Sequence, residues 1–260
     1  MFGLTFHLYG LLVGIALVVG WELVQRACKK YQIPFEMIQK DLLVILFGGF
    51  IFARLWHGVT DWSLYSENPV SVLYVWNGGL SIIGGIIGGG IVVLGLQLIR
   101  KQAQENKIKL TLLLLTDLMV HALPISQAIG RLGNYINQEL YGLPTKLPWG
   151  IFIEPVNRIH SVVEQSHFHP LFFYEILLNL GIAIFIWQRH WNIGSGRATA
   201  WYLVLYGLGR FLLDFLRIDK GDHVWLGISL NQYILLFIVG LGLVLLKRKN
   251  ETVQKRASSL

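Results

Sequence analysis

Residues 130–142 read GRLGNYINQELYG and carry a high density of hydrogen-bonding side chains between two long apolar stretches. Arginine offers a planar fork of donors that matches the oxygens of a phosphate. Asparagine amides can bind phosphate or glycerol oxygens without adding charge, and glutamate and tyrosine can transfer a proton or orient a hydroxyl. The segment therefore has the parts of a site for a phosphorylated alcohol.

A second polar set lies near the end of the chain. Tyr206, Arg210, Asp214 and Arg217 follow one another at i, i+4, i+8 and i+11, which predicts one helical face. Arg210 has two interpretations: it binds a phosphate, or it forms an intrahelical ion pair with Asp214.

Both sets belong to a chain that is more apolar than soluble domains are. It is 54% hydrophobic and 14% charged, whereas soluble domains carry about 25% charged residues. Apolar runs near the ~20-residue length of a membrane-crossing helix recur along the sequence. They predict an all-α integral membrane protein with seven transmembrane helices, at 7–25, 41–58, 80–99, 110–129, 170–188, 198–217 and 227–246. The fourth and sixth runs contain more polar residues than the others.

The positions of lysine and arginine predict the orientation. Most of the 22 basic residues fall at 26–40, 100–109, 189–197 and 247–260, on one side of the predicted spans, and the 59–79 loop on the other side has none. Cytoplasmic loops carry the excess of basic residues. We therefore expect the N-terminus outside and the C-terminus in the cytoplasm.

This topology predicts a single membrane domain over 1–260, with exterior loops at 59–79 and 131–169 that form small arm or cap regions, and a basic cytoplasmic tail at 247–260. The basic residues form short clusters rather than a continuous face, so a nucleic acid is not an expected partner. We expect no metal and no cofactor, because His167 and His169 form only an isolated pair and no nucleotide-binding loop is present.

Six predicted spans bring polar residues to one depth, near the outer leaflet. An ionisable group at mid-membrane costs at least ~2.5–3.5 kcal/mol, so each needs a reason. Snorkelling to the interface is the alternative for Arg54 and Arg217. Together these residues predict a phospholipid-binding site in the outer half of the membrane: His7, Tyr9, Arg54, His57, Asn77, Arg131, Asn134, Asn137, Glu139, His169, Tyr174, Glu175, Tyr206, Arg210, Asp214 and Arg217.

Other unusual residues have structural interpretations. Asp117 and His121 lie deeper in the fourth span, where a helix-packing hydrogen bond is the preferred interpretation over catalysis. Glycines recur at 84, 85, 88 and 89 in the third span. Pairs of small residues four apart let helices approach closely, so we interpret these glycines as a packing face.

The segment GRLGNYINQELYG resembles the signature of the prolipoprotein diacylglyceryl transferases, G-R-x-G-N-F/Y-x-N-x-E-x-x-G. Five further segments resemble family features in the same order along nearly the whole chain: HLYGLL at 7–12, ARLWH at 53–57, VWNGGLS at 75–81, FHPLFFYE at 168–175 and YGLGRFLLDFLR at 206–217.

The resemblance implies transfer of the sn-1,2-diacylglyceryl group of phosphatidylglycerol to the lipobox cysteine thiol of a prolipoprotein, which forms a thioether and releases glycerol 1-phosphate. The implied partners are phosphatidylglycerol, the signal peptides of prolipoproteins and the lipid bilayer. The implied location is the bacterial cytoplasmic (inner) membrane, with the active site toward the outer leaflet.

The resemblance also implies roles for individual residues. Arg131 and Arg210 match the phosphate-contacting arginines of the family, and Asp214 stands where a glutamate is usual. The predicted catalytic residues are Arg131, Arg210, Tyr206, Glu139 and His57. The predicted substrate-binding residues are Tyr9, Arg54, Asn134, Asn137, Gly133, Asp214 and His169.

Besides Asp214, the chain departs from the family pattern at two places. Ile83 occupies a position where family members commonly have histidine, and isoleucine can neither transfer a proton nor donate a hydrogen bond. His57 is a hypothetical substitute for that histidine. Leu171 and Phe172 replace the usual polar pair after His169–Pro170, which predicts a less polar pocket.

Two alternative functions are open at this point. A catalytically impaired homologue would bind phospholipid or lipoprotein precursor without turnover, as Ile83 suggests. A channel or transporter would need polar residues through the full membrane depth, whereas the cytoplasmic halves of most predicted spans are apolar.

Overall fold

The structure, a computed structural model, describes residues 8–74, 79–102, 111–218, 224–225 and 227–247. Its helices and strands, in chain order, are α1 Leu8–Lys30, α2 Gln39–Thr60, α3 Ile82–Gln102, α4 Leu112–Met119, α5 Leu123–Ile136, β1 Ile151–Phe152, β2 His167–Phe168, α6 Leu171–Gln188, α7 Arg197–Asp214, β3 Val224–Trp225, β4 Ile228–Ser229 and α8 Leu230–Lys247. The strands form two short antiparallel hairpins, β1 with β2 and β3 with β4.

Four helices within the described residues, α1, α2, α6 and α8, are long and apolar enough to cross a membrane, and α4 with α5 forms a fifth candidate. These helices expose large apolar side chains, such as Val18 at 71% and Phe47 and Phe237 at 67% each. Such surfaces need a lipid environment. The chain is therefore a mostly helical, multi-pass membrane protein, as predicted.

The third and sixth predicted spans correspond to α3 and α7. The apolar section of α3 is shorter, Ile87–Ile99, and α7 is not among the candidate spans found in the described residues. Three charged residues, Arg197, Arg210 and Asp214, lie within the 18 residues of α7. The count of seven spans and the orientation stay predictions.

The fourth predicted span is bent by 53° between α4 and α5. Pro124 lies in the first turn of α5, where it needs no backbone N–H but prevents α4 from continuing. The restarted helix continues to Ile136, so the exterior loop does not begin at residue 131 as predicted. Arg131 and Asn134 are instead helical neighbours three residues apart.

The described residues form two compact units. One contains α2 and α3, which pack through glycines. A Cβ at Gly84 would lie 2.6 Å from the carbonyl oxygen of Phe52, and a Cβ at Gly88 would overlap the Phe52 side chain. The predicted packing role of the 84/88 glycine pair is confirmed.

The other unit contains α1 and most of the chain from α4 to α8. Asp117, fully buried on α4, fixes the start of α7 by accepting hydrogen bonds from the backbone N–H groups of Gly194, Gly196 and Thr199 and from the Thr199 hydroxyl, at 2.8–3.0 Å. A carboxylate at a helix N-terminus satisfies free N–H groups and favours the helix dipole. The predicted packing role of Asp117 is confirmed. His121 contacts the Asp117 backbone carbonyl at 2.9 Å.

The loop after α5, which the sequence predicts to lie outside, folds into a small arm. Its core consists of Tyr141, Ile153 and Phe168, and the Tyr141 hydroxyl donates to the Asn157 carbonyl at 3.0 Å. The arm also meets the end of α7, because the Leu143 N–H donates to the Leu216 carbonyl at 2.8 Å.

The prediction that Tyr206, Arg210, Asp214 and Arg217 share one helical face is wrong for Arg217. The helix ends at Asp214, and Arg217 lies in an isolated β-bridge with Gly142. The pairing of this segment with the arm after α5 replaces the next helical turn, so Tyr206, Arg210 and Asp214 share a helix without Arg217.

Candidate functional site

Two arginines from different helices meet at one carboxylate. Arg131 Nε on α5 lies 2.5 Å from Glu175 Oε2 on α6, and Arg210 Nη1 on α7 lies 3.2 Å from Glu175 Oε1. The Glu175 and Arg210 side chains are 1% and 8% exposed, and that of Arg131 is 23% exposed. The structure thus brings together the two predicted phosphate-contacting arginines, with the more accessible one on α5.

The two arginine contacts of Glu175 are close ion pairs, but they lack the alignment of hydrogen bonds. Both Glu175 carboxylate oxygens, Arg210 Nη1 and Asn179 Oδ1 are buried without a hydrogen-bond partner among the described residues. The distances meet the criterion for an ion pair, whereas a hydrogen bond also needs alignment. We interpret the contact as electrostatic, with Arg210 Nη1 able to donate to another acceptor.

Asp214 continues the charged cluster toward the end of α7. Arg210 Nη1 and Arg217 Nη1 both lie 3.9 Å from Asp214 Oδ1. Shorter hydrogen bonds reach Asp214 from the Ser229 hydroxyl at 2.8 Å and the Asn231 amide at 2.9 Å. The predicted Arg210–Asp214 pair therefore exists only at long range, and Asp214 connects α7 to the start of α8.

The signature segment forms a hydrogen-bonded network around Arg131. Arg131 Nη1 donates to Asn134 Oδ1 at 3.1 Å, and Asn134 Nδ2 donates to Glu139 Oε1 at 2.9 Å. Asn137 Nδ2 reaches the same glutamate oxygen at 3.3 Å. Gly133 is buried one turn before Asn137, and its carbonyl accepts the Asn137 N–H.

Backbone geometry keeps Glu139 over the end of α5. The Glu139 N–H donates to the Asn134 carbonyl at 2.9 Å. Gln138 and Leu140 on either side have positive φ angles of 51° and 54°. Non-glycine residues rarely adopt this conformation, and it often marks functional segments. The chain thus turns back so that one carboxylate orients two asparagine amides.

Two other predicted site residues lie in aromatic surroundings of the same unit. The His169 ring nitrogen is 3.1 Å from the Tyr174 hydroxyl, which accepts a hydrogen bond from Trp149 at 2.8 Å. Tyr206, one turn before Arg210, stacks on Tyr202 with ring centroids 5.6 Å apart.

Arg54 and His57 belong to the α2–α3 unit. Arg54 is 5% exposed, and its guanidinium donates to the carbonyls of Val72, Gly79, Ser71 and Tyr74 at 2.6–3.2 Å. Snorkelling is therefore wrong for Arg54, because a cage of carbonyls buries its charge. This contact set organises the loop after α2, and phosphate binding by Arg54 stays a prediction.

His57 contacts the same loop. Its Nδ1 lies 3.2 Å from the Tyr65 hydroxyl and 3.6 Å from an Asp61 carboxylate oxygen. Gly79 has φ +77°, and a Cβ there would lie 2.9 Å from His57 Nε2. Only glycine fits this turn, beside both His57 and Arg54. Four predicted parts of the site lie outside the described residues: His7, the side chains of Tyr9 and Ile83, and the segment 75–78 with Asn77.

Sequence reasoning assigned no role to Glu175, although the residue was among the converging polar groups. One signal was available, since Glu175 and Asn179 at i, i+4 place two polar side chains on one face of an apolar helix. Both are 1% exposed. Isolated buried polar residues in a membrane helix indicate partners on neighbouring helices.

The cluster on α5, α6 and α7 has the chemistry of an anion site. Two guanidinium groups converge, one of them partly accessible, and two asparagine amides are held beside them by Glu139. Such groups bind a phosphate and stabilise charge that develops on its oxygens. Within the described residues, no three His, Cys, Asp or Glu side chains are grouped so that they could hold a metal ion.

The chain is similar to known proteins along nearly its whole length. Residues 1–248 match the family model described as prolipoprotein diacylglyceryl transferase. The chain is 34% identical over 220 residues to the phosphatidylglycerol–prolipoprotein diacylglyceryl transferase of Fervidobacterium nodosum, covering 82% of this chain and 71% of the relative.

Two further curated relatives carry the same enzyme name. The protein of Leifsonia xyli subsp. xyli is 36% identical over 253 residues, covering 91% of this chain and 72% of the relative. That of Synechococcus elongatus is 33% identical over 224 residues, covering 84% and 75%. With nearly its whole length matched, the chain belongs to the prolipoprotein diacylglyceryl transferase family.

Proposed function

We propose that this protein transfers the diacylglyceryl group of phosphatidylglycerol to the lipobox cysteine of prolipoproteins in the bacterial cytoplasmic membrane. The observation that carries the proposal is the convergence of Arg131 and Arg210 at one buried carboxylate, in a chain whose named relatives are phosphatidylglycerol–prolipoprotein diacylglyceryl transferases.

The reaction is a displacement at carbon. The cysteine sulfur attacks the glycerol carbon that bears the phosphate ester, a C–S bond forms and the C–O bond breaks, and the thiol proton leaves to a base. The phosphodiester becomes glycerol 1-phosphate and gains negative charge on the oxygen that leaves. Arg131 and Arg210 stabilise that charge, which lowers the barrier only because it grows in the transition state.

Other residues bind and orient the substrates in this proposal. Glu139 holds the Asn134 and Asn137 amides toward the headgroup, and Asp214 holds the end of α7. Tyr206 and His169 supply hydroxyl and imidazole groups near the cluster. Tyr9 and Arg54 contact substrate, and His57 is the candidate base for the thiol in place of the histidine missing at Ile83.

The proposed topology places this chemistry toward the outer leaflet. It has seven spans in one membrane domain, the N-terminus outside and the basic tail in the cytoplasm. The loop distribution of lysine and arginine supports the orientation. The exterior arm after α5 then lies on the side from which the signal peptide of a translocated prolipoprotein presents its cysteine.

The test is complementation of a transferase-depleted bacterium, scored by thioether lipidation of a model lipobox protein. We expect lipidation by the wild-type chain, and a loss of about 100-fold or more for Arg131→Ala and Arg210→Ala, since one lost donor to a developing oxyanion costs this much. Arg26→Ala is the matched control, because Arg26 is 66% exposed and contacts only Glu22 among the interactions described. Normal lipidation by both cluster variants would contradict the phosphate assignment.

A catalytically impaired homologue is the second candidate, favoured by Ile83. It predicts that the inserted wild-type chain binds phosphatidylglycerol without producing a thioether. The same assay separates the two functions when it is combined with lipid co-purification.

A further inference from the structure

Glu175 is the contact that joins the two arginines of the site. It lies 2.5 Å from Arg131 and 3.2 Å from Arg210, and its side chain is 1% exposed. Two guanidinium groups that contact the same carboxylate would repel each other if that anion were removed. Because water does not reach this carboxylate, its charge counts fully toward the charge of the site.

Among the described residues, the formal charges of the cluster leave one positive charge. Three arginines, Arg131, Arg210 and Arg217, lie beside two buried carboxylates, those of Glu175 and Asp214, and Arg210 and Arg217 are both 3.9 Å from Asp214. Glu139 is exposed, and its recorded side-chain partners are neutral amides, so water screens its charge. A buried site is most stable when its net charge is zero after the ligand binds.

A single positive charge matches one class of phosphate. A phosphodiester carries one negative charge at all physiological pH values, whereas a phosphomonoester loses its second proton near pH ~6 and then carries nearly two. The donor geometry permits such an anion, since Arg210 Nη1 has no hydrogen-bond acceptor among the described residues.

We propose that Glu175 is a specificity-determining residue that sets the charge of the anion site. By neutralising one of two arginines, it makes the site select a monoanionic phosphodiester lipid over a dianionic phosphomonoester lipid. This inference rests on the proposed function, because it assigns the phosphate of the lipid donor to the Arg131–Arg210 cluster.

The experiment compares two competitors in the transferase assay with phosphatidylglycerol as donor. Phosphatidate at pH 8 is a dianionic monoester, and phosphatidylethanol with the same acyl chains is a monoanionic diester. The readout is the ratio of their half-inhibitory concentrations. Glu175→Gln keeps the shape and removes the charge, Glu175→Asp keeps the charge, and Glu164→Gln makes the same chemical change at an exposed position of the exterior arm.

Glu175→Gln raises the site to two positive charges, so phosphatidate becomes the matched ligand. We expect the phosphatidate-to-phosphatidylethanol ratio to fall by about tenfold or more, which corresponds to ~1.4 kcal/mol. Glu175→Asp and Glu164→Gln should keep the wild-type ratio. A purely structural role for Glu175 would weaken both competitors alike, and an unchanged ratio in folded Glu175→Gln protein would overturn the proposal.

Wild-type protein provides a second measurement if Glu175→Gln does not insert into the membrane. The ratio of the half-inhibitory concentration of phosphatidate to that of phosphatidylethanol should be higher at pH 8 than at pH 5.5. At pH 8 phosphatidate carries a second negative charge that the site does not match. The diester control corrects for titration of the protein. Equal or stronger relative competition at pH 8 would contradict the inference. A wild-type chain that forms no thioether would instead contradict the proposed function.

Discussion

At the scale of single residues, the signature segment brings its side chains together because they are near in sequence. Arg131, Asn134, Asn137 and Glu139 span the last turns of α5 and the turn that follows, and three side-chain hydrogen bonds of 2.9–3.3 Å connect them. This grouping could be predicted from the motif. The partner of Arg131 could not, because Glu175 lies on another helix whose rotation about its axis is decided by packing.

Glu139→Gln tests whether the carboxylate orients the two asparagines. The glutamine carbonyl can still accept one amide, but the second amide loses a charged acceptor, and hydrogen bonds to charged groups contribute ~1.5–3 kcal/mol. We expect kcat/KM for phosphatidylglycerol to fall by about 10- to 100-fold, measured in the lipidation assay. Glu164→Gln on the exposed arm is the control, and equal activity of the two variants would exclude this role for Glu139.

Arg54 illustrates a limit of sequence reasoning at this scale. Its position at the outer end of α2 predicted phosphate binding or snorkelling. The structure shows at least four backbone carbonyls around its guanidinium. The backbone at 71–74 and at Gly79 decides that outcome. The position of a backbone carbonyl cannot be predicted from the residue type, because every residue has one.

At the scale of elements, the helix positions could be predicted from the length of the apolar runs, whereas their ends could not. The helix that begins again near Pro124, α5, continues past Arg131. Helix α7 ends at Asp214, so Arg217 lies beyond the helix and forms the β-bridge with Gly142. Both boundaries depend on local backbone constraints that hydropathy does not record.

Asp117 tests how the position of α7 is set. Asp117→Ala removes the acceptor of three backbone N–H groups, and it removes one of the two partners of the Thr199 hydroxyl, which also contacts the Thr116 hydroxyl at 3.0 Å. We expect a loss of stability on the order of 2–4 kcal/mol, seen as a lower melting temperature of the protein in detergent. Thr199→Val removes the hydroxyl contacts with Asp117 and Thr116 but keeps the backbone N–H bonds to Asp117, so it should have a smaller effect. Equal melting temperatures for Asp117→Ala and wild type would contradict this capping role.

The glycine face of α3 gives a matched pair of variants. A Cβ at Gly88 would overlap Phe52, whereas nothing lies within 4 Å of a Cβ at Gly90. Gly88→Ala should destabilise the protein by about 1–3 kcal/mol through overpacking, and Gly90→Ala should be neutral or slightly stabilising. Thermal unfolding in detergent measures both. Adding Phe52→Ala to Gly88→Ala should relieve the overlap, and a double variant less stable than the sum of the two single changes would contradict direct contact.

At the scale of the whole molecule, the open question is whether α7 crosses the membrane. Its charged residues exclude it from the candidate spans in the described part of the chain, yet the function proposed here needs Arg210 beside Arg131. Arg210 and Asp214 are buried between helices rather than exposed to lipid. Charged residues that face other helices can be accommodated in a span, so we propose that α7 crosses.

Accessibility of single cysteines to a membrane-impermeant maleimide tests this topology in spheroplasts. Cys28, the only cysteine in the sequence, is first replaced by serine. Exposed positions then report each side: Gln165→Cys on the arm before α6, Asn192→Cys between α6 and α7, and Leu230→Cys at the start of α8.

We expect Gln165→Cys and Leu230→Cys to be labelled in intact spheroplasts, and Asn192→Cys only after permeabilisation, because α6 and α7 each cross once. Retained lipidation activity shows that each variant keeps its fold. If Asn192→Cys and Leu230→Cys are labelled only after permeabilisation, α7 does not cross, and the seven-span arrangement is wrong while the family assignment stands. Labelling of Asn192→Cys in intact spheroplasts, with Gln165→Cys protected, would instead reverse the orientation and place the arginine cluster toward the cytoplasmic leaflet.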